Sequence, residues 1–387
     1  MPRCRHFGSC GGCSLQDRSY ESQLAAKAKA VGELLAPFRL ERLPAHASPK
    51  PWFYRNKMEF SFGDVYPPIP EGPRLRLGLK ARGRWHQVLS IEECYLLSPE
   101  AAVLLTELRR WAAAGGYEPY NAHRHRGFLR HLVLREAKNR PERMVMLLTS
   151  QGPLDELSLI SAINSVYPAT TVLRGINEKL SDTAIPDRIE RLSGSGRITE
   201  SIKIGSREIL FQISPLSFFQ TNTWGAELLY GIVLSWLEEK RARTALDLYC
   251  GGGGIALSIA GSCDKVWGVE LNESAVLDAR ANSALNGISN VEFFAGSVEL
   301  MAAPLLGADP DVVIVDPPRS GLQGKALAMI LDKRPRALLY VSCNPQSLAR
   351  DLKALEPAYC LERAEIIDMF PHTEHVETIA WLDRKEL

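Results

Sequence analysis

Two stretches of this 387-residue chain hold residue types and spacings that could do chemistry. In "ALLYVSCNPQSLARDL", Ala337 to Leu352, an apolar run ends at Ser342, Cys343 follows, and Asn344-Pro345 opens a helix. Asn as N-cap and Pro at the first helical position leave the thiol just outside a helix amino terminus, where the helix dipole favours a thiolate. The helix start thus gives Cys343 a reason for a lowered pKa, and on these residues alone it is either a packed strand-end cysteine or a nucleophile. In "LDLYCGGGGIALSIA" a strand runs into a glycine turn and a helix, with Gly251, Gly253 and Ala256 at the G-x-G-x-x-A spacing. Glycine matters there because a Cβ would block the approach of a cofactor to the backbone. Glu270 ends the next apolar run, where a carboxylate can accept from two ribose hydroxyls. Nicotinamide and S-adenosylmethionine cofactors both satisfy this arrangement.

A third cluster lies at the amino terminus. Cys4, Cys10 and Cys13 form C-x5-C-x2-C, and Cys94 follows in "IEECYLL". Three close thiolates and a distant fourth suit iron–sulfur and zinc alike on charge and softness. Cys250 is expected to be structural, and Cys263 and Cys360 are expected in the core.

The elements that must position these residues are of two kinds. Between residues 51 and 200, short and often alternating runs such as "KMEFSFG", "RLRLGLKARG", "WHQVLS", "LRHLVLREA", "MVMLLTS" and "TTVLRGIN" predict an antiparallel sheet. One helix interrupts it, with Ser98 as N-cap and Pro99 at the first helical position. Another helix precedes it in "SLQDRSYESQLAAKAKAVGELLAPF". From about Thr244, uninterrupted apolar runs ("TALDLY", "KVWGVEL", "VEFFAG", "DVVIVD", "ALLYVS") mostly alternate with helices, which predicts a parallel sheet. "LERAEIIDMF" and "VETIAWLDR" should close it as an antiparallel hairpin at the edge. The linker is expected in "RLSGSGRITES" or the strand pair after it, giving domains 1–200 and 201–387.

Composition narrows the function classes. The chain is 45% hydrophobic and 24% charged, with no apolar run long enough for a membrane helix and no signal-peptide core, so a cytoplasmic protein is expected. A monomer is expected besides. The net charge of +1 hides an asymmetry: residues 1–200 hold 29 Lys and Arg against 21 Asp and Glu, the remainder 17 against 24. Basic residues thicken in Asn121–Arg143, which would suit a polyanion. In "WFYRNKMEFSF", Arg55 and Lys57 interleave with Trp52, Tyr54, Phe60 and Phe62, a pattern that suits phosphates and stacked bases as well as a half-buried strand.

Asp316 in "VVIVDPPRSGL" ends a strand, and the two prolines hold the following backbone extended. An Asp-Pro-Pro turn on the fourth strand resembles the substrate loop of S-adenosylmethionine-dependent methyltransferases. With "FFQTN", "DLYCGGGG", "DPPRSGL", "VSCNP", "HTEHVET" and the four cysteines in order, nearly the whole chain resembles the RNA 5-methyluridine methyltransferases, the TrmA/RumA family. The resemblance implies an α/β fold: a class I S-adenosylmethionine methyltransferase (Rossmann-like) domain with an α+β central domain carrying a 4Fe–4S cluster. It implies that Cys343 adds to carbon 6 of uracil and that Glu377 is the base that removes the carbon 5 proton. It places Gln220, Tyr249, Glu270 and Asp316 at the cofactor, and Cys4, Cys10, Cys13 and Cys94 on the cluster. His372 and His375 would support the site or face RNA. Where some relatives have Asn in the glycine turn this chain has Gly254, so a side-chain contact is expected to be lost. The cysteines, and the absence of room for a barrel domain before Cys4, resemble the RlmC-like branch that acts on 23S rRNA. A transfer RNA T-loop uridine methyltransferase, a nicotinamide redox enzyme and a non-catalytic RNA-binding or folding factor are the rival readings.

Overall fold

The first helix, α1 (Tyr20–Leu35), begins where the Ser19 side chain accepts the Ser22 N–H, and it buries Gln23, Lys27, Val31 and Leu35 at i, i+4 spacing along one face. The computed structural model describes residues 3–64 and 75–386, so Arg74, at the head of one expected strand run, lies outside the described residues. Contacts divide the chain into two units: Met1–Asp17, Trp52–Glu200 and Ile213–Leu216 form one, Arg18–Pro51, Ser201–Gln212 and Ser217–Leu387 the other. The boundary expected at residue 200 misassigns α1 and the short strand β1 (Ala45–His46). Both go with the second unit, where Ala45 and His46 pair with Ile366 and Ile367.

In the first unit a seven-stranded sheet runs in the order β4-β3-β2-β5-β6-β7-β8. Its strands are β2 (Lys57–Asp64), β3 (Leu75–Ala81), β4 (Arg84–Ser90), β5 (Leu129–Glu136), β6 (Arg143–Thr149), β7 (Thr171–Ile176) and β8 (Arg188–Ser193). The sheet is not wholly antiparallel as expected: β6 and β7 pair parallel, Met144 opposite Thr171. A parallel pair needs a crossover, and α3 (Glu156–Val166), capped by Asp155, supplies it. The alternating runs of the sequence do not predict that helix. The other helix, α2 (Pro99–Ala114), starts as expected, but Ser98 makes no side-chain cap bond. Its hydroxyl instead donates to the buried Glu136 at 2.5 Å, because a buried carboxylate is costly unless its oxygens are satisfied.

After the hairpin β9 (Ile198–Ile204) and β10 (Arg207–Ile213), α4 (Thr223–Lys240) leads into the second unit's α/β sheet. The strands are β11 (Thr244–Leu248), β12 (Lys265–Glu270), β13 (Val291–Ala295), β14 (Val312–Val315), β15 (Ala337–Ser342), β16 (Tyr359–Ile367) and β17 (Glu377–Arg384). Between them run α5 (Gly254–Ile259), α6 (Glu273–Leu285), α7 (Val298–Leu306), α8 (Gly324–Lys333) and α9 (Pro345–Leu355). The order is β1-β16-β17-β15-β14-β11-β12-β13, with β11 to β15 parallel. Every residue of β14 and β15 is buried, which is why these strands read as unbroken apolar runs. β16 and β17 do pair antiparallel, but β17 inserts between β15 and β16, and β1 takes the outer edge. Among the described residues no helix is long and apolar enough to cross a membrane.

Candidate active site

Strand register decides which side chains meet. β11 pairs with β14 up to Leu248 opposite Val315, so Tyr249 and Asp316 are the next residue on each strand. β15 pairs with the antiparallel β17 up to Ser342 opposite Thr378, so Cys343 and Glu377 lie one step beyond that pair. The carboxyl ends of three parallel strands and the start of β17 thus converge on one edge, where α/β sheets place their ligands.

A cavity at this edge is lined by Phe218, Gln220, Tyr230, Asp247, Tyr249, the turn Cys250–Gly252, Gly254 and Asp316, among others. Gly251 and Gly253 have φ of 54° and 83°, the left-handed region that glycine enters freely. Tyr249 shares that conformation at φ 64°, an uncommon one for an aromatic residue, which turns its ring at the end of β11. Of the residues expected at the cofactor, Gln220, Tyr249 and Asp316 line the cavity. Glu270 stands beside it, one carboxylate oxygen accepting the Gly251 N–H at 3.1 Å and the other the Asn272 N–H at 2.8 Å. At Gly254 a Cβ would collide with the Tyr230 hydroxyl, so Tyr230 fills the place a side chain would take.

Asp247 was missed. Its side chain is wholly buried on β11, with Oδ2 accepting the Ala256 N–H at 3.1 Å and Oδ1 without a partner. Burial, then the charge of Asp316, holds its carboxyl well above the usual range. The signal was available: an acid inside the apolar run "TALDLY" needs a reason to be there. Phe218 was missed too. It is 64% exposed although it lines the cavity, and an apolar ring left in solvent beside a polar cleft is uncommon.

The helix start behind Cys343 is as expected, with Asn344 Oδ1 accepting the Gln346 N–H and Pro345 at the first position. The thiol pKa is not. Burial, followed by the charges of Glu377 and Asp316, pushes it up to about 11, outweighing the lowering by Arg319. The helix-dipole expectation fails because an ion in a half-buried site beside two carboxyls costs more than one helix terminus returns. Burial pushes Asp316 up to about 7, and burial with the Asp316 charge holds Glu377 well above the usual carboxylate range.

The two histidines before Glu377 have separate surroundings. His372 is buried at φ 66°, its Nδ1 3.2 Å from Gln23 Nε2 and its N–H donating to Gln23 Oε1 at 2.9 Å; burial lowers its pKa to about 4, so the ring is neutral. His375 is exposed, with Nδ1 3.3 Å from Arg319 Nη2. The loop between β16 and Glu377 is further held from α1: Lys27 Nζ donates to Asp368 Oδ1 at 2.7 Å and to the Phe370 carbonyl at 3.0 Å, in a pair almost wholly buried.

In the first unit, Cys4, Cys10, Cys13 and Cys94 all line a second cavity, together with Phe7, Gln16, Leu79 and Ile91. The Gly12 N–H reaches Cys10 Sγ at 3.3 Å and Gln16 Nε2 reaches Cys13 Sγ at 3.2 Å, donors suited to anionic sulfur. Burial raises Cys4 to about 11 and Cys13 to about 12. Among the described residues no three ligand side chains are gathered tightly enough for a single metal ion.

Most of the expected polyanion patch faces inward. β5 is buried along its whole length. Arg130 donates to Ser150 Oγ and to the carbonyls of Lys179 and Ser181, Arg135 donates to the Pro215 carbonyl, and Lys138 pairs with the buried Glu136 at 2.6 Å. His123, Arg124, His125 and Arg126 at the preceding turn remain exposed. The aromatic run is likewise core: Tyr54, Phe60 and Phe62 are buried, and Lys57 pairs with Glu59 at 2.7 Å.

Residues 190–385 match the family model described as tRNA (Uracil-5-)-methyltransferase. The chain is 40% identical to an uncharacterized RNA methyltransferase of Clostridium tetani over 99% of its own length and 84% of the relative's. It is 38% identical to another from Caldanaerobacter subterraneus, over 98% and 84%. Among solved structures, it is similar to the Pyrococcus abyssi tRNA (uracil-54, C5)-methyltransferase in complex with S-adenosyl-L-homocysteine, with 30% identity, a TM-score of 0.79 and coverage of 96% and 86%. Similarity of this extent, over a cavity at the carboxyl edge of an α/β sheet, means that the chain belongs to the tRNA (uracil-5-)-methyltransferase family and is an S-adenosylmethionine-dependent RNA methyltransferase.

Proposed function

We propose that the protein methylates carbon 5 of a uridine in RNA by covalent addition of Cys343 to carbon 6. The carrying observation is the register that leaves Cys343 and Glu377 one step beyond the Ser342–Thr378 pair, with Asp316 on the neighbouring strand. Carbon 5 of uracil is too weak a nucleophile to take a methyl group directly. The Cys343 thiolate adds to carbon 6, forming a carbon–sulfur bond and moving the double-bond electrons toward carbon 5. S-adenosylmethionine supplies an electrophilic methyl group when bound. Carbon 5 would take that methyl as its bond to the sulfonium sulfur breaks, with S-adenosylhomocysteine as the leaving group; the Glu377 carboxylate then accepts the carbon 5 proton, the double bond reforms and Cys343 leaves as thiolate. The raised pKa of Glu377 makes its ionised carboxylate a strong base, whereas the raised pKa of Cys343 keeps the free thiol protonated, so the thiolate depends on Arg319 as the neighbouring cation.

Gln220, Tyr249 and Asp316 would hold the methyl donor and Glu270 its ribose, with Asp247 Oδ1 left to accept or donate a hydrogen bond at the same cavity. Cys4, Cys10, Cys13 and Cys94 hold a 4Fe–4S cluster. Four thiols lining one cavity, with N–H donors at the Cys10 and Cys13 sulfurs, suit the thiolate ligands of such a cluster. The cluster's role is structural, organising the first unit. The exposed His123–Arg126 turn supplies phosphate contacts.

For the substrate we favour 23S rRNA, on the resemblance of the cysteine set. The second reading, transfer RNA, is favoured by the substrate of the 30% identical Pyrococcus abyssi tRNA (uracil-54, C5)-methyltransferase. Mapping 5-methyluridine in ribosomal and transfer RNA from a deletion strain decides between them. The mechanism is tested with RNA carrying 5-fluorouridine at that site. A covalent adduct is expected with the wild type and none with Cys343→Ala, and an adduct that survives the substitution would refute it.

A further inference from the structure

The loop that follows Asp316 is fastened to α9 by a carboxylate that takes no part in the chemistry above. Asp351 lies in the second turn of α9 and is 1% exposed, a costly place for an acid unless every oxygen is satisfied. Its Oδ2 accepts the Leu322 N–H at 2.8 Å and the Tyr340 hydroxyl at 2.7 Å. Its Oδ1 accepts Arg350 Nε at 2.9 Å and Nη2 at 2.7 Å, and the same Nη2 donates to the Ser320 carbonyl at 2.6 Å. The Asn344 side chain adds a further tie, Nδ2 donating to the Arg319 carbonyl at 2.9 Å. Gly321 makes the closure possible: at φ 77° it turns the Leu322 N–H toward Asp351, and a Cβ there would run into the Asp351 carboxylate and Arg350. Arg319, Ser320 and Leu322 are thereby tied to the helix whose first turn lies directly behind Cys343.

We infer that Asp351 is a positioning residue: through Leu322, Tyr340 and Arg350 it fixes the Asp316–Leu322 loop against α9, and so sets Arg319 and Asp316 relative to Cys343. The inference rests on the assignment of Cys343 as nucleophile. Two features favour positioning over plain helix packing. One of the four donors comes from the loop and one from β15, three residues before Cys343. The Arg319 guanidinium, carried by the same loop, is a group that lowers the Cys343 pKa.

The test compares Asp351→Asn and Tyr340→Phe with Asp311→Asn. Asp311 accepts the N–H groups of Arg243 and Thr244 at the opposite end of the sheet and serves as a control for lost stability alone. An amide at 351 presents N–H to groups that are themselves donors, and Phe at 340 removes a single donor. Asp351→Asn is expected to lower kcat at least tenfold with the S-adenosylhomocysteine Kd within threefold of wild type, and to slow adduct formation on 5-fluorouridine RNA in the same ratio. Tyr340→Phe should lower kcat three- to tenfold, and it carries the test if Asp351→Asn fails to fold. The pH midpoint of Cys343 alkylation should rise in both, because Arg319 is no longer held near the thiol. A kcat within threefold of wild type in both variants, or an equal loss in Asp311→Asn at matched melting temperature, would overturn the inference. A wild type that methylates the RNA without forming an adduct would instead overturn the Cys343 assignment, and this inference with it.

Discussion

At the scale of single residues, the decisive quantity is the proton affinity of a thiol beside two carboxyls. With Cys343 raised to about 11, the thiol is neutral at pH 7, and its thiolate fraction climbs with pH across the whole neutral and alkaline range. Alkylation of Cys343 by iodoacetamide should therefore quicken about tenfold per pH unit from 7 to 10, since only the thiolate reacts. At pH 8 it should also be faster with S-adenosylmethionine bound than with S-adenosylhomocysteine, because only the former carries a sulfonium charge. Equal rates with the two would show that the donor's sulfonium does not stand near the thiol. The Gly254 position gives a second residue-scale test. Gly254→Ala should weaken S-adenosylhomocysteine binding about tenfold or more, as overpacking costs about 1–3 kcal/mol. Tyr230→Phe in the same chain should restore part of the loss by removing the hydroxyl that the new methyl group meets. Calorimetric titration of both variants checks this.

At the scale of elements, the loop between β16 and β17 depends on α1, more than 300 residues away in sequence. Lys27 and Asp368 have side chains 3% and 0% exposed, so each would be an uncompensated buried charge without the other. Lys27→Met is expected to destabilise the second unit by about 3–5 kcal/mol, the cost of breaking a buried pair from one side. Denaturant titration followed by a probe in that unit measures it, and a loss below about 1 kcal/mol would mean that Asp368 is relieved by water or by protonation. The start of α9 was legible in the sequence because Asn-Pro is a local signal. The pair that joins α1 to the β16–β17 loop was not, since nothing near Lys27 or Asp368 marks either as a partner. α3 escaped for a related reason: its run "LSLISAINSV" fits a strand as well as a short helix until the parallel pairing of β6 and β7 demands a crossover.

At the scale of the whole molecule, the cysteine cavity and the exposed basic turn each make a prediction. Anaerobically purified protein should be brown and hold about four irons per chain. Removing iron by chelation should release the first unit to protease and lower its melting temperature, because ligand binding to the native state is folding free energy. A single zinc with no iron would sink the cluster. Arg124→Ala with Arg126→Ala should weaken RNA binding and reduce the slope of log affinity against log salt by about 2, one for each lost phosphate contact. An unchanged slope would move the RNA surface elsewhere. The charge run from Asn121 to Arg143 overstated this surface, since composition counts Arg130 and Arg135 as available cations while the sheet turns them inward onto carbonyl groups.

The sequence by itself determined the parts that local chemistry dictates. These are the alternation of apolar strands and helices, the glycine turn that must take positive φ, the thiol before a helix start and the spacing of the cysteines. Tertiary structure alone decided which side chains share a site and what that does to their protons. β17 enters between β15 and β16, so Glu377 reaches Cys343 and, with burial and Asp316, raises the pKa that the helix start was expected to lower. Local signals act through the few bonds between neighbours, whereas burial and charge act through space, across separations the sequence does not contain.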